Sequence, residues 1–343
     1  ALMMLADFDY EANRVLVIAP SDSIRTQLRG KFERLEGLKM AEAVAADAPT
    51  PEVKILDERP RDEQDWEEYS STDVVVTLPN SISSEYTQED ESDIAPPPED
   101  MFDLVLVDEA HHSSAPAWEE ILSKFNSIPQ ILLTATPFRR DHDILPGRLI
   151  YHYPVDKAHD DNIYHKIKLT TQNGGKETLI DNAESQLKSF KETNDDATML
   201  VRTDEIEKAN DLADEYNERD GLEVTAVHSN ADKNDNKKAI QALRTGEIDG
   251  VVIVDKFAEG IDIDNLQLAV FHEPPKSLRM TIQLIGRLAR QPDDNAAATI
   301  IATDDVISDK GTEDAVRQLY YENTGWSEIV PDIIGEYIDP QRW

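Results

Sequence analysis

The stretch that most constrains this chain is Asp103–His112, which reads Asp-Leu-Val-Leu-Val-Asp-Glu-Ala-His-His. Five mostly apolar residues end abruptly in two adjacent carboxylates. A strand buried on both faces of a parallel sheet needs such a run, and its end delivers acids to the sheet edge where doubly wound α/β folds place ligands. There Asp108 can hold a Mg²⁺ ion through water, and Glu109 can polarise an attacking water. Phosphoryl transfer from a nucleotide requires those two acidic roles.

One buried strand implies others, and 343 residues suffice for two α/β domains with proper cores. Strands are predicted at Arg14–Ala19, Asp73–Leu78, Asp103–Val107 and Gln130–Thr134. Helices are predicted at Ser21–Leu35, capped by Ser21, and at Ala117–Phe125. Residues Ala41–Tyr69 look acidic and irregular, and Ser84–Asp100 reads as a surface loop. A second run follows, with strands at Ile163–Thr170, Thr198–Val201, Leu222–Val227, Gly250–Val254, Leu268–Phe271 and Ala297–Ala302. Its helices are expected at Ala183–Glu192, Glu205–Arg219, Asn234–Thr245 and Arg279–Arg290. Alternation of strand and helix implies parallel sheets. The expected domains are 1–150 and 163–306, joined by a connector at 151–162 and followed by a C-terminal helical appendage at 307–343. No internal sequence repeat is visible, although two similar sheet domains in tandem are implied.

Charge narrows the setting. The formal net charge is −36, and Asp and Glu are spread over the whole chain. A uniformly acidic, hydrated surface with few lysines suits molar salt, which points to a halophilic, archaeal source; an ordinary acidic cytosolic protein is the alternative. Such a surface repels nucleic acid, so any contact with it must use a local basic lining, backbone N–H groups or stacking. No apolar run approaches the roughly 20 residues of a membrane span, so no membrane partner is expected. The N-terminus lacks the basic region of a signal peptide, and a cytoplasmic location is expected. The chain has no cysteine, which excludes disulfides and thiolate metal sites.

The tetrad Asp108-Glu-Ala-His111 resembles motif II (Walker B) of the superfamily 2 helicases. Alone it is a weak signal, but companions follow in the family's order from about Val15 to Thr303. Leu132-Leu-Thr-Ala-Thr-Pro137 resembles motif III, whose hydroxyls, Thr134 and Thr136, would couple the nucleotide site to the rest of the motor; a helix N-cap is the plainer reading. Val17–Gln27 resembles motif Ia, with Pro20 and Ser21 at a nucleic-acid backbone. Val76–Ser81 occupies the place of the next backbone-contacting motif and offers Thr77.

The second half continues the likeness. Leu200-Val-Arg-Thr203 and Ala226-Val-His-Ser229 fall where motifs IV and IVa lie, so Arg202, Thr203, His228 and Ser229 could line a strand path or be plain polar loop residues. Asp255–Asp262 resembles motif V: Lys256 would meet nucleic acid, Gly260 permits a tight backbone approach, and Asp262 can meet the ribose. Gln283-Leu-Ile-Gly-Arg-Leu-Ala-Arg290 resembles motif VI and is specific. Arg287 and Arg290 are three apart on a helix and can reach γ-phosphate charge as arginine fingers do. His111 would bridge to this side through Gln283. Phe138, Arg139 and Arg140 could touch nucleic acid or cover the domain edge.

The resemblance is to the restriction- and repair-type Asp-Glu-Ala-His helicases. It implies an α/β fold of two tandem RecA-like domains with mainly parallel sheets, the first incomplete at its N-terminus. It also implies ATP and Mg²⁺ as cofactors, and movement on nucleic acid, DNA before RNA. The family needs motif I, Gly-x-x-x-x-Gly-Lys-Ser/Thr, to cradle phosphates, and the sequence contains none. Its near match, Asn173-Gly-Gly-Lys-Glu177, lies in the wrong half and reads as a turn. The chain is therefore expected to be a fragment, with the loop ending just upstream of Ala1, that binds ATP poorly and hydrolyses it little. Two alternatives stand: a motor subunit with a nuclease or phage-defence partner, and a non-catalytic nucleic-acid-binding remnant.

Overall fold

The computed structural model describes residues 12–83, 95, 97–98, 100–110, 116–134, 147–254, 263, 265–274, 286–290, 297–322 and 326–329. It divides into two compact units, Ala1–Arg148 and Leu149–Trp343.

In the first unit, strands β1 (Val15–Ile18), β2 (Val53–Leu56), β3 (Val74–Thr77), β4 (Leu104–Val107) and β5 (Gln130–Leu132) form one sheet. Their spatial order is β2-β3-β1-β4-β5, and every pairing is parallel. Leu16 lies opposite Val75 on one side and Val105 on the other. Because side chains alternate along a strand, the all-apolar runs fill two cores at once. Leu16, Ile18, Val75, Val105 and Val107 pack on one face with Trp66, Phe102 and Ile121. Val15, Val17, Val74, Val76 and Leu106 pack on the other, with Leu28 and Phe32 against them. Trp66 meets Phe102 edge to face at 6.1 Å, and its indole N–H donates to the Ala95 carbonyl at 2.9 Å.

The second unit holds β6 (Lys168–Gln172), β7 (Thr198–Thr203), β8 (Val224–Val227), β9 (Gly250–Val254), β10 (Leu266–Phe271) and β11 (Thr299–Thr303). The order is β6-β11-β10-β7-β9-β8, again all parallel. Helices Lys176–Lys191 and Ile206–Asn217 cover one face through Leu179, Leu187, Leu212 and Tyr216. Helix Lys233–Arg244 contributes Leu243 to the other core, as do Leu288, Val306 and Val316.

The two sheets share one winding. Taking β1 to β5 in turn against β7 to β11, the strand orders match position for position. The second sheet carries one more strand, β6, on the outer edge of β11. Its counterpart beside β5 is not among the described residues. The difference shows in burial: all of β11 is buried, whereas β5 is only half-buried throughout.

Several sequence expectations need correction. The span read as irregular holds β2 and a short helix, Glu63–Glu67. The strand is hidden in sequence because it lies at the sheet edge, with Lys54 and Ile55 only half-buried. The helix expected at Ala183–Glu192 starts at Lys176 instead, because its opening turn carries Lys and Glu while Leu179 and Ile180 already face the core. Strand β6 begins at Lys168, not Ile163. Residues Val155–Asp160, inside the expected connector, are helical. The expected helix over Arg279–Arg290 is described only at 286–290, where Gly286–Leu288 are helical.

Candidate functional site

Strand β4 runs between β1 and β5 and ends at Asp108. The Asp108 N–H donates to the Ile18 carbonyl at 3.0 Å, so the parallel ladder still holds the residue that follows the strand. Its carboxylate oxygen Oδ1 accepts from the Glu109 N–H at 3.0 Å. Glu109 has φ +49°, the left-handed region that a residue with a Cβ rarely enters. The next residue returns to the sheet, with the Ala110 N–H donating to the Leu133 carbonyl at 2.9 Å. The chain therefore turns sharply at Glu109 between two fixed points. Such a conformation costs on the order of 1–2 kcal/mol and is tolerated where neighbours over-determine it. Both carboxylates are half-buried at the C-terminal edge of the sheet, as is Thr134 beyond β5.

The other first-unit candidates are put to structural use. Ser21 is the N-cap of helix Asp22–Arg34, and its hydroxyl accepts from the Ile24 N–H at 3.4 Å. Pro20 precedes it and is half-buried. Thr77 is fully buried, and its hydroxyl donates to the Leu56 carbonyl at 3.2 Å, tying β3 to β2. Residues His111 and Thr136 lie outside the described residues, as do Phe138, Arg139 and Arg140.

In the second unit, the turn bearing Arg287 and Arg290 is anchored by its neighbours in sequence. Leu288 and Ala289 are fully buried, and the Ala289 carbonyl accepts from the His165 N–H at 2.7 Å. A Cβ on Gly286 would lie 3.2 Å from the Tyr164 hydroxyl, so glycine lets this turn sit close against that ring. Arg287 is left half-buried and Arg290 exposed. Lys256, Gly260, Asp262 and Gln283 lie outside the described residues.

At the end of β7, Arg202 is fully buried. Its guanidinium donates to the Glu273 carbonyl and, at 2.5 Å, to the Pro274 carbonyl, which ties β7 to the chain leaving β10. Thr203 beside it is also fully buried, and its hydroxyl has no hydrogen-bond partner among the described residues. His228 Nε2 lies 3.1 Å from Asn210 Oδ1, and its backbone carbonyl accepts from Asn236 Nδ2 at 2.9 Å. Ser229 is exposed at the turn that follows β8.

The sequence reads Gly174, Gly175 and Lys176 only as a turn and offers no role for Lys208 or His272, yet the five form one rim. They line a cavity of about 370 Å³ at the C-terminal ends of β7, β10 and β11. Lys208 bonds Glu273 at 2.9 Å and Asp204 at 3.0 Å, and those bonds raise its pKa. His272 is pushed down from 6.5 to about 4 by burial, with the Lys176 charge adding to the effect. The Gly-Gly-Lys run between a strand and a helix was the available signal.

Residues 1–139 match the family described as "Type III restriction enzyme, res subunit", and residues 177–291 match "Helicase conserved C-terminal domain". UvrABC system protein B of Clostridium acetobutylicum is 29% identical over 207 residues, 56% of this chain and 27% of that protein. Among solved structures, the Mycobacterium smegmatis helicase Lhr bound to ssDNA and AMP-PNP is similar with a TM-score of 0.59 and 17% identity, covering 95% of this chain and 44% of that one. Dbp5 of S. cerevisiae, bound to RNA and ADP BeF3, gives 0.55 and 14%, covering 96% and 77%. These likenesses establish the α/β fold of two tandem RecA-like domains. No helix among the described residues is long and apolar enough to cross a membrane.

Proposed function

We propose, from the premise that this chain carries the paired domains of a superfamily 2 helicase, that the whole protein is an ATP-driven motor moving on nucleic acid. The chain spans 27% of the length of the UvrABC relative, so that activity is assigned to the whole protein. The observation that carries the reading is the Asp108–Glu109 pair, held at the end of β4 with Glu109 in a left-handed turn.

The donor set suits Mg²⁺. Among the described residues no three acidic or histidine side chains cluster around a metal position. Mg²⁺ keeps several waters and takes one or two carboxylates plus phosphate oxygens, which needs no protein cage. Asp108 would hold it through water, and the ion would neutralise charge on the phosphates. Glu109 would orient the attacking water and accept its proton. Arg287 and Arg290 would stabilise charge developing on the γ-phosphoryl oxygens. Gln283, with His111, Thr134 and Thr136, would couple that event to the strand path. Gly260 and Asp262 would meet the nucleotide. Pro20, Ser21, Thr77, Thr203, His228 and Lys256 would lie along the strand, with backbone groups serving where hydroxyls are already bonded.

The half-buried β5 supports a further element of this reading. Its counterpart β11 is completed by β6, so a parallel strand along β5 would complete the first sheet. The phosphate-binding loop, Gly-x-x-x-x-Gly-Lys-Ser/Thr, would follow that strand. The sequence here contains no such motif, and this chain alone is expected to bind ATP weakly.

DNA is preferred over RNA because the first domain matches a restriction-enzyme family, which also makes a nuclease or defence-complex partner the first to seek. The Asp-Glu-Ala-His subtype, a cytoplasmic location and a haloarchaeal source complete the proposal. The test is nucleic-acid-stimulated ATP hydrolysis by the whole protein at molar KCl. Asp108→Asn, Glu109→Gln and Arg290→Ala should each lower it by about 100-fold or more. Activity retained in all three variants would sink the motor assignment.

A further inference from the structure

Asn173-Gly174-Gly175-Lys176 joins the C-terminal end of β6 to the first turn of a 16-residue helix. Gly174 has φ +154°, and a Cβ there would sit 2.9 Å from the Thr178 hydroxyl oxygen. Gly175 caps the helix without a side-chain bond, and a Cβ on it would meet nothing within 4 Å. The opening amides of this helix therefore have no side-chain cap, and the backbone beside them is uncovered. Gly174, Gly175 and Lys176 line the cavity of about 370 Å³, which lies wholly within the second unit.

A helix N-terminus alone selects no ligand. Thr203 supplies an independent sign from another strand. It lines the same cavity, is fully buried, and has a hydroxyl without a hydrogen-bond partner. Buried hydroxyls in folded proteins are nearly always paired, so an unpaired one beside a cavity is open to a hydrogen bond from a group that enters it.

The charge of the lining sets the chemistry. Lys176 pairs with Glu215, and Lys208 pairs with Glu273 and Asp204. Asp211 and Asp305 add two more carboxylates. A bare anion would gain the amides and ammonium groups but face several acids. A phosphate ester of a sugar satisfies both kinds of group. Its phosphate can accept from the Gly175 and Lys176 amides and from Lys176 Nζ. Its sugar hydroxyls can donate to the carboxylates of Glu273 and Asp211. The cavity also falls within the range of small-ligand sites, about 300–1,000 Å³.

We propose that this cavity, built from the second unit alone, binds a nucleoside monophosphate or an equivalent sugar phosphate. The ligand's source is either a free nucleotide or the phosphorylated end of a strand. Both present the same phosphate and sugar to Gly175, Lys176 and Thr203.

Calorimetric titration of the full chain with AMP in molar KCl tests this. Lys176→Gln alters a half-exposed side chain, and Thr203→Val keeps the side-chain volume, so thermal melting should show both variants folded. Saturable AMP binding should weaken about 10-fold or more in each variant and stay unchanged in Arg290→Ala. Ribose 5-phosphate should bind, and inorganic phosphate should bind about 10-fold more weakly than AMP. The proposal is overturned if millimolar AMP does not saturate, if both variants bind as the parent does, or if only Arg290→Ala loses binding. Phosphate binding as tight as AMP also overturns it, because the sugar would then contribute nothing. Competition by a 5′-phosphorylated oligothymidine, and not by the same oligothymidine without its phosphate, supports a site for a strand end; equal competition by both overturns the proposal, because Thr203 would then serve the strand path. Saturable AMP binding without that competition supports a site for free nucleotide.

Discussion

Arg202 and Pro274 are joined by a hydrogen bond of 2.5 Å, from guanidinium Nη1 to a backbone carbonyl, with the arginine fully buried. The same guanidinium holds the Glu273 carbonyl, so one buried charge fixes the exit from β10. Arg202→Met would leave both carbonyls without that donor. Urea unfolding should report a loss of about 3 kcal/mol. A loss below about 1 kcal/mol would show that the arginine is not what secures this bend.

Histidine at the end of β10 predicts acid sensitivity. His272 Nε2 lies 3.0 Å from the Tyr216 hydroxyl, and its pKa falls from 6.5 to about 4 through burial and the nearby Lys176. The folded-state value is below the unfolded one, so protons bind the unfolded chain first. The stability tied to the neutral ring is fully present above pH 6.5 and is lost as pH falls through about 4. That window is worth on the order of 3 kcal/mol. Other acid effects cancel in the difference between the parent and His272→Gln, which should narrow from pH 7 towards pH 4. Parallel stability curves would rule the histidine out.

The Ser21 hydroxyl caps helix Asp22–Arg34. Ser21→Ala should therefore cost about 1 kcal/mol, and Ser21→Gly only a few tenths. Equal stability in all three proteins, with weaker nucleic-acid binding in the variants, would instead give the hydroxyl wholly to a ligand.

A net charge of −36 on 343 residues makes self-repulsion large. Moving from molar to millimolar KCl should lower the thermal midpoint, and LiCl should restore it as KCl does if screening is the cause. A midpoint that does not change with salt would remove the halophilic reading.

What could be read from the sequence follows from burial. Gly250–Val254 was expected as a strand and is one, with its first four residues fully buried. Asp103–Val107 shifts by one residue at its start. Strands buried on both faces leave continuous apolar runs in the sequence, so they are easy to find. The edge strand β2 leaves no such mark, because Lys54 needs no partner inside the sheet. Spatial order was not readable either, since no local preference tells β7 to lie between β9 and β10. At the site, the strand that ends at Asp108 and Glu109 is legible in its apolar run, but the left-handed backbone at Glu109 is not. Thr77 and Thr203 look alike in sequence at strand ends; only the structure distinguishes a hydroxyl bonded to Leu56 from one with no partner.

Strand β6 pairs, among the described residues, only with β11, where Thr170 meets Ile301 about 130 residues further along the chain. A growing polypeptide must expose β6 for nearly the whole synthesis of its domain before that partner exists. Pairing over such separation is slow, and a waiting strand invites the wrong neighbour. Its sequence, Lys-Leu-Thr-Thr-Gln, is the most polar of the six in that sheet. The lysine, threonines and glutamine keep an unpaired strand compatible with water, the property that gatekeeper residues lend to a strand awaiting its partner.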